Sequence, residues 1–468
     1  MLTRRALAAS VPAALLAGCG LVARRDRPAA ATGAAPGLTR PGEVSSPIAA
    51  LSGTQYQWAR TAWRFLENNT DDVNGLVNGM DRSPTFTMAN AGDAIAATLA
   101  ALELKIIDTR EFDLRLSRLL GFLATMDLSQ GKLPNKVYNA VSGKMVGFEN
   151  RPDDIGWSAG DIGRVLLWLR IAGRRHPRFQ EYADKVVVRW TFCDALDACG
   201  ALRGAARANG QVHTYREGRF GYEQLAGAGY AAWGLDARGA TALPKLEYAN
   251  IEGLRVPYDA RDPRTSGAPA PVLTMPFALA GLEYGWQAAD GSSSLREPAR
   301  TIFAAQEARW RRERQLTARS DYQLREAPWV VLDSVFASGY AWNTIGADGK
   351  DHERLALVSV RSAFAMWALG ASDFTTALVE GVRWLYDADR GWFEGRYEQG
   401  GAPNTTITLA TNAQVLEALW FKASGAPLYG AGPSRPGFFE VRTGDPFQRI
   451  GRCWPGETRP DAATCARS

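Results

Sequence analysis

Past residue 50 the sequence alternates between two kinds of helical pattern, and this alternation constrains the fold more than any other feature. The first kind is amphipathic, with charge kept to one face: Gln55 to Asn68, Arg110 to Leu128, Arg178 to Trp190, Arg296 to Arg314 and Asp373 to Tyr386. In the third of these, Phe179, Tyr182, Val186 and Trp190 recur at helical spacing while Glu181, Asp184, Lys185 and Arg189 fall outside the stripe. The second kind is apolar or small nearly all round: Ala91 to Leu104, Ser158 to Ile171, Tyr222 to Trp233, Met275 to Trp286, Val358 to Leu369 and Thr411 to Phe421. A helix with no polar face is a buried helix. Six of them interleaved with exposed ones predict an all-α toroid of six inner and about six outer helices, the outer member near Gly239 to Asn250 being weak or irregular.

The connections give a second argument. Links from inner to outer helices are short, as at Lys105 to Thr109 and Gly370 to Ser372. Links from outer to inner helices are long, as at Ser129 to Trp157, Thr191 to Gly221, Gln315 to Leu357 and Asp387 to Ala410. In an alternating ring, all the long links emerge at one face, beside the N-termini of the inner helices. Long loops in compact domains usually carry function. These carry aromatics with amides and carboxylates between them, which suits sugar rings: ring faces stack and hydroxyls take hydrogen bonds. Asn135, Tyr138, Trp157, Tyr222 and Trp392, together with Glu394, Tyr397, Glu398 and Asn404, are the expected substrate contacts.

The start of the chain reads as an export signal. Arg4 and Arg5 precede an apolar run to Ala17 that is too short to span a membrane, and Leu16-Ala17-Gly18-Cys19 resembles a lipoprotein cleavage box. The expectation is a signal peptide over 1–18, cleaved to leave a lipidated Cys19 on a flexible tether over 19–50. The toroid domain then covers 51–430 and an irregular tail 431–468. Thr3-Arg4-Arg5-Ala6-Leu7 also resembles a twin-arginine signal, so both export routes remain open. The protein is expected on the periplasmic side, anchored to the outer membrane where a cell has two. Four cysteines then remain in two close pairs, Cys193 with Cys199 and Cys453 with Cys465, and local disulfides suit an exported chain.

A hydrophobic content of 46% with 15 Trp excludes a disordered chain, and a net charge of +5 over 468 residues is too small to suggest nucleic acid. Only His176, His213 and His352 are present, so no histidine-built metal site is expected, and no cofactor.

Several motifs resemble a family of bacterial exported proteins, the "domain of unknown function 3131" family. They are Thr87-Met88-Ala89-Asn90-Ala91-Gly92-Asp93, Leu133-Pro134-Asn135-Lys136-Val137-Tyr138, Gly156-Trp157-Ser158-Ala159-Gly160-Asp161-Ile162-Gly163-Arg164 and Glu217-Gly218-Arg219-Phe220-Gly221-Tyr222-Glu223-Gln224. Gly391-Trp392-Phe393-Glu394-Gly395-Arg396-Tyr397-Glu398 and the run from Thr411 to Leu419 complete the set. The resemblance implies an (α/α)6 toroid distantly similar to glucoamylase-like and endo-β-1,2-glucanase enzymes.

Glycoside hydrolysis needs two carboxyls, one to protonate the leaving oxygen and one to activate water or attack carbon. Glu223, in the first turn of an inner helix, is the expected acid, with a partner among Asp93, Asp161 and Asp72. Asp93 and Asp161 also fit helix capping, through Asn90-x-x-Asp93 and Ser158-x-x-Asp161. The sequence therefore points to a lipid-anchored glycosidase or transglycosylase acting on a β-glucan or exopolysaccharide. A non-catalytic glycan-binding lipoprotein assisting polysaccharide secretion, and a structural envelope lipoprotein, are the alternatives.

Overall fold

The computed structural model describes residues 37–38, 50–208, 210–261, 270–287, 294–430 and 453–455. Leaving aside the single turn Phe192–Ala195, the helices in chain order are α1 (Gly53–Asn69), α2 (Met88–Glu103), α3 (Thr109–Thr125), α4 (Ala159–Arg175), α5 (Gln180–Val187) and α6 (Tyr222–Ala232). There follow α7 (Arg238–Thr241), α8 (Met275–Tyr284), α9 (Arg296–Glu313), α10 (Val360–Leu369), α11 (Asp373–Val382) and α12 (Leu409–Ser424). The even-numbered helices are the apolar ones, and they are buried. Each packs on the next, α2 on α4, α4 on α6, α6 on α8, α8 on α10 and α10 on α12, and α12 returns to α2. Each odd-numbered helix packs outside an even one, α3 on α2, α5 on α4, α7 on α6, α9 on α8, α11 on α10 and α1 on α12. The weak outer member is α7, a single turn.

Small residues set the spacing between α4 and α6. A Cβ on Gly229 would lie 1.7 Å from the Gly163 carbonyl oxygen, and one on Gly163 would lie 2.5 Å from that of Ala226. The backbones touch, which only glycine permits at these positions. Elsewhere large side chains fill the interior, with Trp63, Trp168, Trp286, Trp392 and Trp420 all essentially inaccessible.

The all-α expectation needs correction. Among the described residues, every outer-to-inner link carries strand. Thr85–Thr87 pairs antiparallel with Val137–Asn139, placing Phe86 opposite Tyr138. Arg203–Ala208 and Gln211–Arg216 form a hairpin, as do Leu246–Ile251 and Leu254–Asp259. Gly391–Tyr397 pairs with Leu357–Ser359 on one side and Pro403–Ile407 on the other. The physical reason is backbone satisfaction: a long link crossing the packed ends of buried helices needs partners for its N–H and C=O groups. Short two-strand pairings supply them.

The disulfide expectation is also corrected. Cys193 bonds to Cys453, 260 residues away, with the Cα atoms 4.9 Å apart. Cys193 sits in the turn Phe192–Ala195, and the tail comes back to it with Trp454 buried alongside. Cys199 is likewise disulfide-bonded, and Cys465 lies outside the described residues. Close spacing in sequence was a poor guide because Asp197 folds 197–201 into a turn, accepting from the N–H of both Cys199 and Ala201. Residues 1–36 and 39–49, with Cys19, also lie outside the described set. No helix among the described residues is long and apolar enough to cross a membrane.

Candidate functional site

The N-terminal ends of the even-numbered helices surround a cavity of about 680 Å³. Every one of those helices reaches its wall: Asn90 and Asp93 from α2, Asp161 and Arg164 from α4, Tyr222 from α6, Leu279 from α8, Arg361 from α10 and Gln414 from α12. The links close the rest of it, with Tyr215 to Arg219, Asp321 to Gln323, Val330 and Glu394.

Five carboxyls line this cavity, in surroundings that treat them differently. Ser158 caps α4 through its hydroxyl, which accepts from the Asp161 N–H (3.1 Å) and donates to Glu217 Oε1 (2.7 Å). Glu217 Oε2 accepts from the N–H groups of Ala159 (2.5 Å) and Gly160 (3.4 Å). The donors orphaned at the start of α4 are thus met by Glu217, a residue remote in sequence. Burial, and next the Glu217 carboxylate beside it, push Asp161 up to about 7, against the opposing pull of Ser158 and Lys136.

On another part of the wall Asp321 behaves in the opposite way. Burial alone would raise it, but the Arg361 guanidinium (3.1 Å) and the hydroxyls of Tyr222 and Ser320 (both 2.9 Å) hold it below the usual carboxylate range. Glu394 accepts from the hydroxyls of Thr408 and Thr411 and is pushed up by burial, with Arg361 opposing. One cavity therefore holds a carboxyl inclined to keep its proton and another inclined to stay ionised.

Below the cavity lies a buried ionic cluster. Arg164 is bonded to Asp93, to Glu283 Oε1 (3.0 Å) and to Glu417 Oε1 (2.9 Å), and Glu283 also accepts from the Trp168 indole (3.0 Å). Three carboxyls share one guanidinium, and burial pushes both Glu283 and Glu417 up. Their Oε2 atoms have no donor in reach when both are ionised.

Residues 57–425 match the model of a family described as "Protein of unknown function (DUF3131)". The chain belongs to this family. No curated protein matches it in sequence. In structure the DUF3131 domain is similar to the β-1,2-glucanase of Parabacteroides distasonis, with 13% identity, a TM-score of 0.56 and 81% of this chain covered. The match spans only 58% of that longer enzyme. The endo-β-1,2-glucanase of Chitinophaga pinensis, solved with sophorotriose and glucose, gives 12% identity and a TM-score of 0.53 over 81% of this chain and 97% of the other. A glucoamylase-like protein of Bacteroides caccae gives 12% identity and 0.53 over 86% and 98%. At such identities the likeness is one of fold.

Within the DUF3131 domain the expected site residues separate sharply. Asp93, Asp161, Tyr222 and Glu394 reach the cavity. Glu223 does not. It is buried, its oxygens meet Arg216 and Arg261 (3.0 Å each), and it is not among the residues lining the cavity. The turn before α6 redirects it, with Gly218 and Gly221 both at positive φ. Asp72 is also displaced, exposed at the surface beside Arg118 (3.6 Å). The expected Asn90 cap is one turn out of place: Thr87 caps α2 and Asn90 returns the bond, which frees Asp93 for Arg164.

Several expected sugar contacts are engaged in hydrogen bonds or packing within the fold. Asn135 is inaccessible, donating to the carbonyls of Val137 (2.7 Å) and Val146 (3.1 Å) and accepting from the Ile155 N–H (2.9 Å). Tyr138 donates to the Asp127 carbonyl, Trp157 to that of Arg203 and Trp392 to that of Trp58, all as buried side chains. Tyr397 packs against the small core around Tyr322 and Leu357, Glu398 is held by Arg309 and Arg319, and Asn404 pins the Gln323 carbonyl. Loop aromatics that stay open include Tyr215, Trp329 and Tyr340, at 41%, 60% and 68% exposure, and Tyr215 lines the cavity.

The sequence pattern alone did not single out Glu217, Asp321 or Arg361. One signal was available. Arg361 falls on an otherwise apolar inner helix, and a buried guanidinium requires a carboxylate partner.

Proposed function

We propose that this protein is an exported, lipid-anchored (α/α)6-toroid enzyme that cleaves or transfers glycosidic bonds in a β-glucan or related exopolysaccharide. In this reading Asp161 is the general acid and Asp321 the ionised carboxylate that activates water or attacks the sugar carbon. The observation that carries it is the opposed behaviour of these carboxyls in one cavity, Asp161 raised to about 7 and Asp321 held low. Two carboxyls driven apart by their surroundings are what acid and base roles require. Tyr222 and Arg361 hold Asp321 in place, and Tyr215 lines the cavity wall. The similarity in fold to enzymes solved with β-1,2-linked glucose oligomers supports a glucan as the first substrate to try. The Leu16-Ala17-Gly18-Cys19 box supports the anchor, which globomycin treatment or palmitate labelling tests.

The experiment is a panel of polysaccharides, β-1,2-glucan among them, assayed for new reducing ends and transfer products. Asp161→Asn and Asp321→Asn should each lower turnover by about 10²–10⁴-fold, the usual range for lost acid or base catalysis. Turnover that survives both substitutions sinks the assignment. Glycan binding without any turnover in the wild type favours a carbohydrate-binding lipoprotein.

A further inference from the structure

Two carboxyls meet at the first turn of α4, Asp161 on the helix and Glu217 from the link before α6, and donors of that turn fill the oxygens of Glu217. Both oxygens of Glu217 are taken, by the Ser158 hydroxyl and by the N–H groups of Ala159 and Gly160. Burial pushes Glu217 up, and these donors, together with Lys136 and the positive end of the helix, pull it back toward the carboxylate. The site is built to admit it. Gly204, on the neighbouring hairpin, has no side chain, and a Cβ there would stand 2.6 Å from Glu217 Oε2 and 2.8 Å from the Tyr215 ring. These contacts fix the position of Glu217 beside Asp161, which lines the same wall and whose ionised form it repels.

We propose that Glu217 is a positioning residue that keeps Asp161 in its proton-bearing form, and that Lys136 opposes it. This deepens the reading of Asp161 as the acid and rests on it. The groups facing Asp161 are Glu217 from the link before α6, Lys136 from the link before α4, Asp93 from α2 and Ser158 at its own helix cap. Asp93 is engaged by Arg164, so its charge is largely matched. Lys136 is held by Tyr215, its ammonium 3.3 Å from the hydroxyl and 5.4 Å from the ring centre, and it pulls on both carboxyls. Tyr230 approaches the same turn from α6 but donates a hydrogen bond to the Ala159 carbonyl (2.9 Å), and burial keeps it neutral. The arrangement is a carboxyl between a fixed anion and a fixed cation, with the anion dominant. It lets a short acidic side chain remain a proton donor near neutrality, where an unassisted aspartate would already be ionised.

The test reads the proton without any substrate. Infrared difference titration of the full-length protein follows the protonated-carboxyl band, and Asp161→Asn identifies the component that belongs to Asp161. In Glu217→Gln the midpoint of that component should fall by about one pH unit or more, a tenfold or greater loss of proton affinity. In Lys136→Met, which leaves the α4 cap untouched, it should rise. A midpoint that stays put in a folded Glu217→Gln protein overturns the proposal. Should that variant fail to fold, an unmoved midpoint in Lys136→Met overturns it as well. Because no glycan is involved, shifted midpoints in a protein inert toward every polysaccharide would uphold the positioning role and sink the hydrolase reading. Turnover lost in Asp161→Asn, with an unmoved midpoint in Glu217→Gln, would do the reverse.

Discussion

Removing Arg164 exposes how the centre of this protein is held. In Arg164→Met the three carboxyls that converge on the guanidinium lose the cation they share. All three are buried, and Glu283 and Glu417 are inaccessible, so they can remain in place only by taking up protons. The unfolded chain pays no such penalty, because its glutamates titrate near the ordinary value of 4.5. At pH 7, about 2.5 units above that value, binding one further proton costs about 3.4 kcal/mol at 1.36 kcal/mol per unit. At pH 5 the same proton costs about 0.7 kcal/mol. The sign follows: the variant's folded carboxyls have raised affinity, so its stability is retained at low pH and lost as pH rises above the unfolded value. Urea unfolding of wild type and variant at pH 5, 6 and 7 measures the difference. The gap should widen by about 3 kcal/mol or more between pH 5 and pH 7 if one or two protons are taken up. Adding Glu417→Gln to the variant should narrow it. A gap of equal size at every pH would refute the idea that charge, rather than lost packing, dominates.

Other substitutions probe separate statements. Gly229→Ala should abolish folding, since its methyl would collide with the Gly163 carbonyl, whereas Gly121→Ala on the exposed face of α3 meets nothing and should stabilise by about 0.5–1 kcal/mol. Thermal melts of the two distinguish them directly. Asn135→Ala leaves two carbonyls and one N–H without their partner, each worth about 1–3 kcal/mol, and should lower the urea midpoint without abolishing glycan binding. Glu223→Gln should lower the melting temperature by loosening the Arg216 and Arg261 clamp, yet leave the shape of the pH–rate profile unchanged. A displaced alkaline limb in that variant would return Glu223 to the reaction.

What could be read from the sequence was whatever depends on periodicity. The even-numbered helices announced themselves because a helix such as Met275–Tyr284 has no face fit for water. The short pieces of strand did not, since two- and three-residue pairings like Leu128–Ser129 with Leu133–Pro134 are fixed by what lies across from them, not by local preference. Side-chain direction was the other blind spot. Tyr222 and Glu223 are adjacent at the head of α6, and one lines the cavity while the other is clamped behind it. Helical geometry turns neighbours about 100° apart, so position at a helix head says little about aim. Glu217 was hidden because its partners, the first N–H groups of α4, lie 57 or more residues away. Charged residues on apolar helices were the informative exceptions. Arg164, Glu283 and Glu417 could be expected to find one another, and Arg361, at a helix head, to mark the cavity.

The Cys193–Cys453 bond has a consequence for how the protein withstands proteases. The loop it closes contains α6 through α12, so a cut at the exposed Gly253 turn leaves two pieces still joined through sulfur. A cut in the exposed stretch around Phe148 falls outside that loop. It separates α1 to α3 from the rest, and with them the α2 member of the helix cycle. The chain therefore has a long region in which this bond bridges a nick and a shorter one, bearing a wall of the cavity, in which it does not.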